Sequence, residues 1–363
     1  MKILFFNYHP VDPQLYKNAA KTLQEKGNDV LFIILEKENI VKKLANSYGF
    51  RTIIVGKIHK SLVKKIIFLP IILFKIILVV TKFKPNLIVS ALSPYAGLIS
   101  KMFRIKSIGI TDTEVATFNN KISFPLFNSI LAPDCFYGYL PENKYIPFIG
   151  YKELAYLHPN WFKPDINIRK ELGINKDEKV CLMRFSALNA IHDIGYRSQI
   201  QSQLEFIKIS LKELEKYCKV FISTTEKNLD KCFLRFELKI HPAKYIDLLS
   251  SCHIYIGEGT TTASEAGVLG VPWINIQKQN RGYLIDQEEN YELGFRTENI
   301  DYAFSKAIEW IKDDNIKEKW RKKKEKLLME KIDLSSFLIW FIENYPESHK
   351  IMKDDPDFQN RFK

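Results

Sequence analysis

At 363 residues the chain exceeds one ordinary hydrophobic core and fits two domains of typical size. An apolar share of 46% beside 26% charged residues excludes a disordered or fibrous chain. Five scattered cysteines with no Cys-x-x-Cys pair exclude a disulfide framework and a cysteine-based zinc site, and point to reduced thiols in a cytosolic protein, while a net charge of +12 asks for an anionic partner.

Residues 2–6 read as an opening strand, too short for a signal peptide and without a small-residue cleavage site. A turn through Asn7, His9 and Pro13 follows, then a helix with Leu15, Ala19 and Leu23 on one face, stopped by Gly27. Residues 30–35 form an apolar run of the kind buried on both faces of a parallel sheet. A helix through Val41, Leu44 and Tyr48 ends at Gly49, and 52–55 is the next strand. This order opens a doubly wound parallel sheet, continued by strands at 87–90, 107–110 and 145–149.

Within it, residues 66–80 are almost wholly apolar, interrupted by Pro70 and Lys75 and flanked by Lys57, Lys60, Lys64, Lys65, Lys82 and Lys84. That run falls short of the roughly 20 apolar residues that span a bilayer. It reads either as an interfacial helix on an anionic membrane or as a core helix whose lysine stems snorkel outward. Run and flanks together exceed what one sheet face requires, so partial contact of 57–84 with an anionic membrane surface is the expectation.

A second α/β cycle begins after Pro164, with strands expected at 179–185, 219–223, 237–240, 254–256 and 273–276 and a long helix near 198–217. No fixed-period repeat is present, so a solenoid is excluded. The architecture expected is two Rossmann-like doubly wound α/β domains facing across a cleft, over 1–160 and 161–332. A helix over 333–345 and a mobile polar tail over 346–363 complete the chain.

The most informative stretch runs from Ile254 to Ile274. A strand enters a turn with Gly257 and Gly259, and Thr260, Thr261 and Thr262 open a helix carrying Glu265. Glycines allow close approach of a ligand, and a helix N-terminus offers unpaired N–H groups to a phosphate or diphosphate, with Glu265 in reach of an adjoining sugar. Equally, Thr262-Ala-Ser-Glu265 reads as a capping box. The dinucleotide pattern Gly-x-Gly-x-x-Gly is not met, because Thr262 stands at its third glycine.

Ligands of doubly wound sheets bind beyond the strand C-termini. There the chain places Arg184, whose planar fork suits a diphosphate, and His192 and Asp193 as candidate substrate contacts. His241 is open to base stacking or to packing, and the hydroxyls of Ser223-Thr-Thr-Glu226 to capping a helix or to lining the cleft. In the first half the same positions hold His9 and the pair Asp112 and Glu114, candidates for taking a proton from a substrate hydroxyl. Asp12-Pro13 reads as N-cap and first helical residue, and capping or an oxygen-ligated metal are further readings of Asp112 and Glu114. Absence of a P-loop, of His-Glu-x-x-His and of Gly-x-Ser-x-Gly narrows the chemistry. No aromatic and basic RNA-binding signature accompanies the charge, so nucleic acid is not an expected partner.

The segment from Ile256 to Pro272 resembles the donor site of GT-B-fold glycosyltransferases and of UDP-N-acetylglucosamine 2-epimerases. More closely, the chain resembles an uncharacterised GT-B-like family of archaeal and bacterial proteins. That family's features stand here as Thr111-Asp-Thr-Glu-Val115, Gly150-Tyr-Lys-Glu-Leu-Ala-Tyr-Leu157, Phe162-Lys-Pro-Asp165, Leu182-Met-Arg-Phe185, His192-Asp-Ile-Gly195 and Phe337-Leu-Ile-Trp-Phe-Ile-Glu-Asn-Tyr345, over nearly the whole length.

The resemblance implies that Glu265 binds ribose hydroxyls, and that Arg184 and the Thr260–Thr262 turn hold the diphosphate. It implies a glycosyltransferase of surface-polysaccharide assembly at the cytoplasmic membrane face, using a nucleotide-diphosphate sugar, a UDP-sugar first, and a glycan or lipid-linked acceptor. Neither metal nor further cofactor is expected. Two departures stand out: Asn7-Tyr-His-Pro-Val-Asp12 is not the glycine-rich first loop of lipid-linked N-acetylglucosaminyltransferases, and Thr111–Thr117 lacks the histidine and arginine of the epimerase stretch. A sugar-nucleotide 2-epimerase or hydrolase, or a non-catalytic membrane-associated binding protein, are the alternatives.

Overall fold

A computed structural model describes residues 1–9, 11–36, 40–57, 61–185, 204–224, 231–277 and 281–363. The chain divides into two compact units: unit 1 comprises Met1–Trp161 with Glu330–Lys363, and unit 2 comprises Phe162–Met329.

Unit 1 alternates strand and helix in the order β1 (Lys2–Asn7), α1 (Asp12–Glu25), β2 (Asp29–Glu36), α2 (Ile40–Ser47), β3 (Thr52–Lys57), α3 (Leu62–Phe83) and β4 (Leu87–Ser90). Then come α4 (Pro94–Met102), β5 (Lys106–Ile110), α5 (Thr117–Ser123), β6 (Ser129–Pro133), β7 (Tyr145–Phe148) and the short α6 (Leu154–Leu157). Its seven parallel strands lie in the order β3-β2-β1-β4-β5-β6-β7. From β1 the chain builds outward to β3, then returns to β4 and builds the other way. The loops after β1 and β4 therefore diverge at a topological switch point. The Tyr8 hydroxyl crosses it, donating to the Ala91 carbonyl at 2.8 Å.

Helix α3 carries both properties read in its sequence, on different faces. Ile72, Ile76, Val80 and Phe83 are buried in one cluster with Leu4, Leu31, Ile33 and Ile88 of the sheet. Ile67, Ile71, Phe74 and Leu78 are exposed. Among the described residues no helix is long and apolar enough to cross a membrane.

Unit 2 contains α7 (Ile168–Glu171), β8 (Val180–Arg184), α8 (Leu204–Leu214), β9 (Lys219–Ser223), α9 (Tyr245–Ser251), β10 (Ile254–Gly257) and α10 (Thr260–Leu269). β11 (Trp273–Ile276), α11 (Gly282–Glu289), β12 (Gly294–Thr297), α12 (Ile300–Lys312) and α13 (Ile316–Glu330) follow. Five parallel strands run in the order β12-β11-β10-β8-β9, with the switch point between β8 and β10. Met183, Ile222, Ile256 and Ile274 of the sheet pack with Ile207 and Leu211 of α8 and with Ala303, Phe304 and Ala307 of α12.

The structure corrects three expectations. The segment 346–363 is not a mobile tail. After α14 (Leu334–Glu343) come α15 (Glu347–Asp354) and a 3-10 turn over Pro356–Phe362, and Ser348, Met352 and Gln359 are buried. The Gln359 side-chain Oε1 accepts from the Ile149 amide at 2.8 Å, and Trp340 packs tilted against Phe358 at 4.6 Å between centroids, fastening the segment to unit 1. Second, 237–240 is no strand: a 3-10 turn over Lys231–Phe236 occupies the approach, and only Glu237 bridges to Ile222. Third, β6 is an additional, wholly buried strand between β5 and β7. Its run is short and ends in Pro133, which hides it from a pattern search. Of the helix expected near 198–217, residues 204–214 lie in α8.

Candidate functional site

In unit 2, Gly257 pairs with Arg184 across β10 and β8, at the switch point. The strands approach so closely there that a Cβ on Gly257 would stand 2.1 Å from the Arg184 carbonyl oxygen. Gly259 is the N-cap of α10, and a Cβ on it would lie 3.0 Å from the Tyr255 hydroxyl and 3.1 Å from Arg184 Cδ. These glycines thus make room first for Arg184 itself, a nearer cause than the ligand approach expected of them. The Arg184 side chain runs along the turn that opens α10. Its guanidinium lies 5.9 Å from the centroid of the Tyr245 ring, and Nη1 donates to Ser223 Oγ at 3.2 Å.

Burial works to lower the Arg184 pKa, but the phenols of Tyr245 and Tyr255 and the Glu265 carboxylate outweigh it and hold the group above its ordinary value. Arg184 is therefore a permanent, partly buried cation beside the first-turn amides of Thr260, Thr261 and Thr262, which no intrahelical carbonyl can satisfy. Fixed cation and helix dipole point at the same volume, and that combination receives an anion.

Helix α10 is pinned from behind. Gln287 Nε2 donates to Ser264 Oγ at 2.9 Å, and its Oε1 accepts from Trp273 Nε1 at 3.1 Å. Gly267 admits this amide, since a Cβ there would be 2.0 Å from Gln287 Oε1. Asn275 Nδ2 donates to the Gly257 carbonyl at 3.0 Å, fixing the end of β10. The capping-box reading fails because Gly259, not Thr262, is the N-cap. Thr262 instead lies buried with its hydroxyl beside Tyr245. Glu265, one turn further, is buried and acts electrostatically on Arg184, Tyr245 and Tyr255. Burial, opposed by Arg184 and helped by Glu265, pushes the Tyr245 phenol up to about 12.

In unit 1 the loops beyond β1, β5 and β7 hold a second charged cluster. Asp112 is buried, with Oδ1 2.6 Å from Lys152 Nζ and 2.9 Å from the donating Thr113 hydroxyl. Burial lowers the Lys152 pKa, but Asp112, Glu153 and Asp12 overcome it and keep the ammonium charged. Asp12 is not the N-cap of α1, a place Val11 takes. Its Oδ2 instead accepts from the amides of Tyr8 at 2.8 Å and His9 at 2.9 Å, holding the first loop closed. His9 is exposed above that clasp, its Nδ1 accepting from the Val11 amide at 3.4 Å. Burial raises the Asp12 pKa, against His9, the two amides and Lys152. Glu114 is buried at the wall of a cavity of about 670 Å³ shared with Asn120, Phe124, Phe136 and Tyr139.

Arg184, Gly257, Gly259, Thr260, Thr261, Thr262 and Glu265 thus converge at the switch point of unit 2, and His9, Asp112 and Glu114 stand beyond strand C-termini of unit 1. His241 is exposed and caps a 3-10 turn, its Nδ1 accepting from the Ala243 amide at 3.3 Å, so its ring is not packed in the core. His192 and Asp193 lie outside the described residues. Sequence reasoning missed Tyr245, Gln287 and the role of Lys152. Only Lys152 left a signal, as the cation within Gly150-Tyr-Lys-Glu153. Among the described residues no group of three or more His, Cys, Asp or Glu is placed to hold a metal ion.

The chain belongs to the family described as Protein of unknown function (DUF354), whose model matches residues 10–336. It is 24% identical over 301 residues to the uncharacterized protein MJ0665 of Methanocaldococcus jannaschii, covering 78% of this chain and 85% of that one. The UDP-GlcNAc 2-epimerase of Methanocaldococcus jannaschii superposes with a TM-score of 0.63 at 13% identity, over 86% of this chain and 94% of that one. The spinosyn rhamnosyltransferase SpnG, complexed with spinosyn aglycone, superposes with a TM-score of 0.59 at 11% identity, over 95% of this chain and 100% of the other. At such identities the likeness shows the fold, which is the GT-B fold common to these glycosyltransferases and epimerases.

Proposed function

We propose that the chain is a glycosyltransferase that moves a sugar from a nucleotide-diphosphate donor, a UDP-sugar first, to a hydroxyl of a glycan or lipid-linked acceptor. The observation that carries this reading is the Arg184 guanidinium fixed against the N-terminus of α10, with Glu265 buried one turn beyond. Paired N–H groups of Arg184 and the amides of Thr260–Thr262 would bind the diphosphate, and the Glu265 carboxylate the ribose hydroxyls. Both sets of donors are in place before reaction, so they stabilise the charge that builds on the leaving diphosphate without reorganising. That arrangement asks for no metal.

Unit 1 would hold the acceptor. His9 takes the proton from the acceptor hydroxyl as its oxygen bonds to the anomeric carbon, and the bond from that carbon to the diphosphate oxygen breaks. Asp112 is engaged by Lys152 and Thr113, which suits it to holding Lys152 more than to accepting a proton. Glu114, at the cavity wall, would accept a hydrogen bond from the acceptor. Surface-polysaccharide assembly at the cytoplasmic face of a membrane is the setting proposed, on family resemblance.

Calorimetry with UDP, GDP, CMP and their sugars tests the reading. UDP is expected to bind, and Arg184→Ala to weaken it by about 10- to 100-fold, as loss of charge-assisted hydrogen bonds does. Turnover of a nucleotide sugar without acceptor would replace transfer by epimerisation or hydrolysis on the same fold. Binding of no nucleotide would remove every enzymatic reading and leave a binding protein.

A further inference from the structure

We propose that the outward face of α3 docks on the surface of an anionic lipid bilayer, with the helix axis lying in the plane of the interface. At about 100° per residue, Ile67, Ile71, Phe74 and Leu78 fall within a stripe roughly 60° wide. Their exposures are 59%, 47%, 60% and 52%. The opposite face is the one that meets the core, through Ile72, Ile76 and Val80. The outer stripe is therefore not required by the fold, and a helix facing only water carries polar side chains there.

Charge selects the partner. Lys64, Lys75 and Lys82 are all exposed and fall in one row beside the stripe, and α3 contains no acidic residue. An apolar stripe bordered by lysines matches the boundary between acyl chains and anionic headgroups, where the stripe enters and the ammonium groups remain among the phosphates. Lys75, midway along, opposes spanning and suits lying flat. A second copy of the chain is a poorer occupant, because two such faces would bring lysine rows together with no carboxylate on either helix to answer them.

Delivery of unit 1 to a membrane-borne acceptor is the sense of this surface, and that sense rests on the transferase reading. The binding itself does not. Flotation of the full chain with phosphatidylcholine vesicles, with and without phosphatidylglycerol, measures it directly. The chain is expected to float with the anionic vesicles at low salt and to be released at high salt. Lys64→Ala, Lys75→Ala and Lys82→Ala should each lower partitioning about fivefold, and Phe74→Asp by about tenfold or more. These side chains are exposed, so unchanged thermal unfolding is the control, and the lysine variants decide if Phe74→Asp fails to fold.

Failure of the wild type to float with anionic vesicles at low salt overturns the proposal. So does unaltered flotation of a folded Phe74→Asp together with the lysine variants, or a lipid-free dimer in sedimentation velocity that Phe74→Asp dissolves. UDP binding measured on the same samples keeps the two ideas apart: UDP bound without flotation removes the docking surface alone, and flotation without UDP binding removes the donor site alone.

Discussion

Gly257 faces Arg184 across two adjacent strands, and the backbone of one occupies the space where a side chain of the other would begin. Nothing at that point can yield, since the obstacle is a carbonyl oxygen within the sheet. Gly257→Ala should therefore cost about 3 kcal/mol or more, or leave no folded protein. Gly259→Ala meets Tyr255 Oη and Arg184 Cδ at 3.0 and 3.1 Å, and the Arg184 side chain can move. Its fold should stay within about 1 kcal/mol of wild type, while UDP affinity falls about tenfold as the guanidinium leaves its place. Denaturant unfolding and calorimetry on the pair check this. The opposite ranking, with Gly257→Ala stable and Gly259→Ala unfolded, would refute the distinction.

Lys152 and Asp112 form a buried pair, and breaking such a pair from one side strands a charge. Lys152→Met is expected to destabilise unit 1 by roughly 3–5 kcal/mol. The double variant Lys152→Met with Asp112→Asn removes both charges and should recover most of that loss. Urea unfolding of the two single variants and the double variant completes the cycle. Additive losses would mean that the two residues act independently and that the ion pair holds nothing together.

Glu265 separates two roles by its effect on a ribose. If its carboxylate accepts the ribose hydroxyls, the wild type should bind UDP about tenfold more tightly than 2′-deoxy-UDP. Glu265→Gln, of the same shape but uncharged, should narrow that preference while binding both less well. A preference of equal size in both proteins would assign Glu265 to steadying Arg184 and not to the nucleotide.

The two sheets were legible because β1, β2, β8 and β10 are buried on both faces, which writes each of them as a continuous apolar run. Direction within loops was not. Asp12 before Pro13 has the form of an N-cap, yet the loop folds back so that its carboxylate meets the amides that precede it. Thr262 and Glu265 have the spacing of a capping box, but Gly259 starts the helix earlier and turns both side chains toward Tyr245 and Arg184. Lys152–Asp112 and Gln287–Ser264 are long-range meetings created by the sheets, and no local pattern carries them. The faces of α3 lie between these cases: the periodicity is in the sequence, but only the packing of Ile72, Ile76 and Val80 tells which side is left over.

His253 supplies a pH dependence of known sign. Its Nδ1 accepts from the Val180 amide at 3.1 Å at the foot of β8, a bond that requires the neutral ring. Burial, with Lys317, Arg169 and Lys179 nearby, lowers its pKa from 6.5 to about 3. The unfolded chain thus binds a proton at His253 throughout the interval in which the folded chain does not. The stability this contributes is whole above pH 6.5 and drains away as pH falls toward 3. The ring is partly open to solvent, so screening makes the loss smaller than the full shift implies. His253→Asn keeps an oxygen able to accept from Val180 and takes up no proton. Thermal unfolding of the two proteins should run parallel above pH 6.5 and diverge below it, with the wild type losing more. Curves that stay parallel through the acid range would show that the ring protonates in the folded state as freely as in the unfolded one.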